Sequence, residues 1–340
     1  MPLLPFCFAA QHLLSKKRTR LIFLRIFLTS SATTCSNVRL PHPRRGALSA
    51  ASKKTYTTGS VMSKDGTSIG YRQMGGGPGV ILIHGAFCSS QVFMKLGAAL
   101  SDTFTVYIPD RRGRGLSGPF GDDYGIRKEV EDLDAILKQT DAHNVFGLSA
   151  GAIIALEAAL YLPAIHRAAL YEPPFHPDNP IPATPSYMPR LDREIAEGKV
   201  AQAMATFIKN FGRRFEKKVL LLSILPRPLL ALFLSFYFRY EAKRVKGDDV
   251  PFQALLPIWH DDYRLTVEAQ GALGRFRAVR AEVLLLGGTK CSASMKRALD
   301  ELSKILPNAK RVEFAHISHE GPIDRSKPEP VAEALRQFFQ

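Results

Sequence analysis

The stretch Asn144-Val145-Phe146-Gly147-Leu148-Ser149-Ala150-Gly151-Ala152-Ile153-Ile154 decides how this chain is read. Residues 144–147 make a short apolar strand. Residues 150–162 continue as a helix that is apolar nearly all round except for Glu157, and a helix of that kind is buried. The junction, Gly147-Leu148-Ser149-Ala150-Gly151, has the spacing Gly-x-Ser-x-Gly. In that pattern a serine stands on a sharp strand-to-helix turn with its hydroxyl presented for attack. By composition alone three fixed small residues recur in roughly one chain in ten of this length. The position, between an apolar strand and a buried helix, is what makes the match specific. A helix starting at Ala150 also directs unpaired N–H groups and its positive dipole end at the serine.

Working outward, the flanking text alternates short apolar runs with segments of helical period, the pattern of a wound α/β sheet. Eight strands are predicted, at residues 57–62, 67–74, 80–83, 104–108, 144–147, 167–171, 282–286 and 311–314. Val130, Leu133, Ile136 and Leu137 recur at helical spacing, as do Met295, Leu299 and Leu302. About a hundred residues between the sixth and seventh strands break the alternation and read as helix. Val200, Met204, Phe207, Ile208 and Phe211 form one apolar stripe there. Residues 219–238 are almost wholly apolar around Pro226-Arg227-Pro228 and are expected to form two short helices with inward apolar faces. A run broken by Pro-Arg-Pro makes a poor membrane span. The expected organisation is a basic extension over 1–55, a sheet core over 56–172 and 281–340, and a helical lid over 173–280.

The formal charge of +15 suggests nucleic acid until its distribution is considered. Residues 1–64 hold eleven Lys and Arg and no acid, which leaves 35 basic against 31 acidic residues elsewhere. The basicity belongs to the N-terminal segment and excludes nothing about the substrate. That segment interrupts its apolar run 21–28 with Arg25, so it suits neither a secretory signal nor a spanning helix. It fits an organellar transit peptide of mitochondrial type. The alternative is a basic tail without an address, leaving the protein cytoplasmic. Cys7, Cys35, Cys88 and Cys291 show no metal-ligand spacing and are expected to be unpaired thiols.

Two further segments bear on chemistry. His84-Gly85-Ala86-Phe87 ends the third strand, where a developing oxyanion needs donors. The backbone N–H groups of Ala86 and Ala150 are the candidates, each such donor being worth about 3–4 kcal/mol in a transition state. His84 itself reads as a brace for that loop. After the last strand, Ala315-His316-Ile317-Ser318-His319-Glu320-Gly321 supplies the candidate base His319, since a loop at that edge reaches the serine hydroxyl. His316 lies too near the strand end to swing over. His260, beside Asp261 and Asp262, reads as part of a solvated helix face.

These motifs together resemble the α/β-hydrolase superfamily over roughly residues 56–340. Asp110-Arg111-Arg112-Gly113-Arg114-Gly115-Leu116-Ser117 is similar to the Asp-x-Arg-Gly-x-Gly-x-Ser motif that follows the fourth strand in that superfamily. The resemblance implies a mostly parallel eight-stranded sheet with helices on both faces and a lid after the sixth strand. It carries the nucleophile to Ser149 and the base to His319, and implies no metal or organic cofactor. It also makes Arg111, Arg112 and Arg114 structural. The chain departs from the pattern after the seventh strand, where Leu286-Gly287-Gly288-Thr289-Lys290-Cys291-Ser292 holds no carboxylate. Asp300 and Glu301 come later, on a helix facing water. Some relatives place the acid at the end of the sixth strand, and Glu172 stands there. Adjacent strands lie about 4.8 Å apart, so that strand end can reach the histidine. The alternative is a hinge glutamate paired to an arginine.

The function expected is hydrolysis of an ester or related carbonyl compound through an acyl-enzyme on Ser149. The apolar lid points to a lipophilic small molecule, with no nucleic acid and no integral membrane segment. A serine nucleophile argues against epoxide hydrolase or haloalkane dehalogenase chemistry. The alternatives are serine-dependent carbon–carbon hydrolysis, acyl transfer, or a non-catalytic ligand-binding or regulatory protein on a hydrolase scaffold.

Overall fold

The computed structural model describes residues 55–177, 181–211, 222–271 and 273–340; the N-terminal extension expected at 1–55 therefore lies almost wholly outside the described residues, as does part of the apolar run at 219–238. Eight strands form one sheet: β1 (Thr57–Met62), β2 (Ser68–Gly75), β3 (Gly79–Ile83), β4 (Thr105–Pro109), β5 (Asn144–Leu148), β6 (Arg167–Tyr171), β7 (Glu282–Gly288) and β8 (Ala309–Phe314). Their order is β1-β2-β4-β3-β5-β6-β7-β8. The pairings of β2 with β1 and β4 are antiparallel, and the other five are parallel.

Both faces of the parallel part are covered, which is why β3 and β5 read as continuous apolar runs instead of alternating. Ile81, Ile83, Val145, Val283 and Leu285 face one core, with α2 (Ile126–Thr140), α3 (Ala150–Tyr161) and α9 (Ala293–Ile305) over them. Val80, Leu82, Phe146, Leu284 and Leu286 face the other, under α1 (Met94–Leu100) and α10 (Pro328–Phe339). Between β6 and β7 the chain makes α4 (Met188–Ala196), α5 (Val200–Phe211), α6 (Arg227–Ala242), α7 (Phe252–Leu255) and α8 (Trp259–Glu268). The α5 stripe is buried at Met204, Phe207 and Ile208. The α6 region differs from its expectation. Leu230, Leu234, Tyr237 and Phe238 turn inward, but Leu229, Leu232 and Phe236 stand exposed. A helix apolar on every side has more apolar surface than one core face can take.

The arginine-rich segment after β4 is held by carboxylates. Arg111 bonds Glu129 at 2.8 Å, and Arg112 bonds Asp132 and Asp65. Asp110 accepts from the backbone of Ser90 at 2.6 Å and Leu116 at 2.9 Å, folding the loop back on itself. A side chain at Gly115, whose φ is +56°, would strike that carboxylate. The guanidinium groups are thus committed to structure, as the resemblance implies.

Candidate active site

Ser149 sits between the end of β5 and the start of α3 with φ 56° and ψ −120°. This is a sparsely populated conformation for a non-glycine residue, of the kind held only where the surroundings over-determine it. The flanking glycines show how. A Cβ at Gly147 would lie 2.2 Å from the Gly151 carbonyl oxygen, and one at Gly151 equally close to that of Ile83. The Ser149 N–H is tied to the Tyr171 carbonyl at 2.9 Å, locking the turn to the neighbouring strand.

The loop after β3 abuts this turn, since a Cβ at Gly85 would stand 3.1 Å from Ser149 Cβ. Ala86 is buried, and the next residue, Phe87, has φ 53°. Ala150 opens α3, so its N–H precedes the first intrahelical bond. Ala150 thus follows Ser149 directly, and Ala86 stands one residue past the glycine that abuts it. His84 braces the loop as expected. Its Nδ1 donates to the Gly85 carbonyl at 2.9 Å and its Nε2 accepts from the Arg111 N–H at 3.3 Å. Burial pushes this imidazole well below its ordinary pKa, so it stays neutral.

On the far side, the positive φ of Glu172 (48°) turns the chain just past β6 while its N–H still pairs with Leu286 of β7. Its fully buried carboxylate accepts from Gly288 N–H at 2.8 Å and from His319 Nδ1 at 2.7 Å. The empty acid position after β7 thus serves as a backbone donor to the acid from β6. A side chain at Gly288 would strike the Ile317 carbonyl oxygen, which is why the His319 loop can cross so closely. The loop is also pinned by the Tyr171 hydroxyl, which donates to the Ser318 carbonyl at 2.8 Å.

Ser149 Oγ and His319 Nε2 are both buried and find no hydrogen-bond partner among the described residues. Both line one small cavity, with Gly85, Cys88, Leu148, Glu320 and Ile323. Buried polar atoms without partners are rare and call for an explanation; two facing one cavity suggest a site for an outside group. Burial pushes the His319 imidazole below its usual pKa, against the pull of Glu172, which keeps it neutral and able to accept a proton. Cys88 is no rival nucleophile, because burial pushes its thiol up to about 12. His316 is exposed, and Asp300 is half-exposed and paired with Arg311, so neither enters the site. Among the described residues no cluster of His, Cys, Asp and Glu could hold a metal ion.

Asp262 requires a correction. His260 is half-exposed beside Asp192, as a solvated face would have it, but Asp262 is buried. It accepts from Phe87 N–H at 3.2 Å and pairs with Arg111 and Arg114, both at 2.9 Å. Trp259, on the same helix, stacks on Phe87 with centroids 4.9 Å apart, and Phe207 of α5 meets both rings edge-on. The inserted helices thus grip the loop after β3 through one carboxylate and an aromatic cluster. The signal for Asp262 was its place three residues after Trp259 on the buried face of α8; charge adjacency to His260 obscured it.

The family model described as "Alpha/beta hydrolase family" matches residues 80–334. Of the curated proteins, N-formylmaleamate deformylase of Pseudomonas putida is 32% identical over 125 residues, 35% of this chain and 47% of that protein. A cis-3-alkyl-4-alkyloxetan-2-one decarboxylase of Shewanella oneidensis is 34% identical over 79 residues, 22% of this chain and 25% of that protein. Each match spans less than half of the curated relative. Among solved structures, an alpha/beta hydrolase from Sphaerobacter thermophilus superposes with a TM-score of 0.64 at 28% identity, covering 83% of this chain and all of that one. With the family's match spanning the sheet from β3 into α10, this chain belongs to the alpha/beta hydrolase family.

Proposed function

We propose that this protein is a serine-dependent hydrolase of esters or related carbonyl compounds with a lipophilic acyl group. One observation carries the reading: Glu172 holds His319 Nδ1, while the opposite ring nitrogen and the Ser149 hydroxyl share one cavity without partners. In this mechanism Ser149 Oγ attacks the carbonyl carbon as His319 Nε2 takes its proton. The Ala86 and Ala150 amides receive the oxyanion, and the imidazolium is stabilised by Glu172. His319 then returns the proton to the leaving group, and water repeats the sequence on the acyl-enzyme. The helices 173–280 act as a lid, and Leu148, Cys88 and Ile323 give the small space beside Ser149 an apolar lining. The segment 1–55 acts as a mitochondrial address, which a fluorescent fusion staying diffuse in the cytosol would refute.

The test pairs a fluorophosphonate probe with p-nitrophenyl esters of increasing chain length. Labelling at Ser149 and turnover rising from acetyl to medium chains are expected. A folded protein that the probe does not label would be a binding protein on this scaffold instead.

A further inference from the structure

The α6 helix leaves a row of large apolar side chains in solvent. Leu229, Leu232, Phe236 and Tyr240 are 47%, 54%, 62% and 48% exposed. Their spacing of three, four and four residues puts them on one face. The opposite face is spent on the core through Leu230, Leu234, Tyr237 and Phe238. Single exposed apolar residues are ordinary, whereas a contiguous stripe marks an interaction surface. The stripe's chemistry at its C-terminal end identifies the partner. Arg239, Lys243, Arg244 and Lys246 are exposed there and form no ion pair among the described residues. Arg244 lies over the Tyr240 ring at 4.4 Å and Arg239 over Phe236 at 6.0 Å, so cations and stripe form one surface. The one acid among them, Glu241, turns inward to accept from the Phe252 N–H.

We propose that α6 docks this protein on an anionic lipid surface. The helix lies in the interface plane, its apolar row entering the boundary between headgroups and acyl chains and its basic end meeting lipid phosphates. Its 16 residues span about 24 Å, and no helix among the described residues is long and apolar enough to cross a bilayer. A large apolar face flanked by Lys and Arg is what such in-plane binding requires. A second copy of the chain is disfavoured as the occupant, because the same face on a partner offers the basic end no free carboxylate, Glu241 being turned inward. The inference is independent of the hydrolytic reading, since it concerns the outer face of α6.

The experiment uses the full chain carrying Phe236→Trp. The protein's one tryptophan, Trp259, is buried, and the basic segment 1–55 contains none, so the added indole reports on α6 even if that segment also binds. Vesicles of phosphatidylcholine with phosphatidylserine are expected to shift its emission to the blue, and brominated acyl chains in them to quench most of the added signal. Neutral phosphatidylcholine alone should do neither. Converting Lys243, Arg244 and Lys246 to Gln should weaken this docking by about fivefold per charge. Leu232→Ser with Leu229→Ser should weaken it by at least about tenfold, with the thermal midpoint retained. An indole unquenched by brominated anionic vesicles overturns the proposal, as does equal quenching with neutral ones. A dimer in solution that the Leu229→Ser, Leu232→Ser protein loses overturns it in favour of a self-interface.

Discussion

His319 Nδ1 lies 2.7 Å from Glu172 Oε2, joining the loop after the last strand to the end of the sixth across 147 residues of sequence. The contact fixes the imidazole's tautomer, leaving Nε2 as the atom that can accept a proton. Activity should depend on this pair in ways that distinguish orientation from mere charge.

Glu172→Gln is expected to keep the fold and lower turnover by about 10²–10⁴-fold, because the imidazolium formed in the transition state loses its carboxylate. Asp300→Asn removes the same charge from a half-exposed site paired with Arg311 and should change turnover less than about twofold. Steady-state kinetics of the two proteins side by side check this. Equal losses would mean a general electrostatic effect.

Ser149→Ala should abolish hydrolysis and fluorophosphonate labelling together, with activity reduced at least about 10³-fold. The circular dichroism spectrum should not change. Removing a hydroxyl that has no protein partner breaks no bond. Residual turnover of a few per cent in clean protein would place the nucleophile elsewhere.

The acid side of the pH profile reports on His319. Burial lowers this pKa from an ordinary 6.5, and Glu172 opposes the shift. A base must be neutral to take a proton, so kcat/KM should fall as pH drops, with its midpoint below 6.5. Glu172→Gln removes the opposing pull and should move that midpoint further down. A limb above 6.5, or one that rises in the variant, would point to another titrating group.

Asp262→Ala should cost about 3–5 kcal/mol of stability, since it strands the buried Arg114 charge and leaves Arg111 with Glu129 alone. It also frees the Phe87 N–H, so kcat should fall as the oxyanion loop loosens. Chemical denaturation and kinetics on the same sample separate the two effects. Unchanged stability would show that Arg114 is satisfied without a carboxylate, through its bond to the Cys88 carbonyl.

Gly288→Ala tests the crossing of the His319 loop. Its Cβ would meet the Ile317 carbonyl oxygen at 2.1 Å, so the loop must move and His319 with it. Turnover should drop by at least about tenfold, because misplacing a catalytic group by an ångström has effects of that size or larger. Full activity would mean that the loop yields without carrying His319 along.

Much of this protein was legible in the sequence for a local reason. The eight strands and their flanking helices follow from periodicity and burial on both sheet faces, which neighbouring residues encode. The turn at Ser149 was legible too, because its constraint falls on Gly147 and Gly151 within one short segment. Glu172 was singled out by the family resemblance, and β6 does lie beside β5 and end level with it. What the sequence left undecided depended on distance across the fold. The 2.8 Å bond from Gly288 to Glu172 shows why β7 needs no carboxylate, and it exists only once β6 and β7 are paired. Asp262 looked like a solvated neighbour of His260 until helix packing buried it against Arg111 and Arg114. The outward row on α6 was hidden in a run that is apolar on every side. Only the packing of one face onto the core determines which residues remain for a partner.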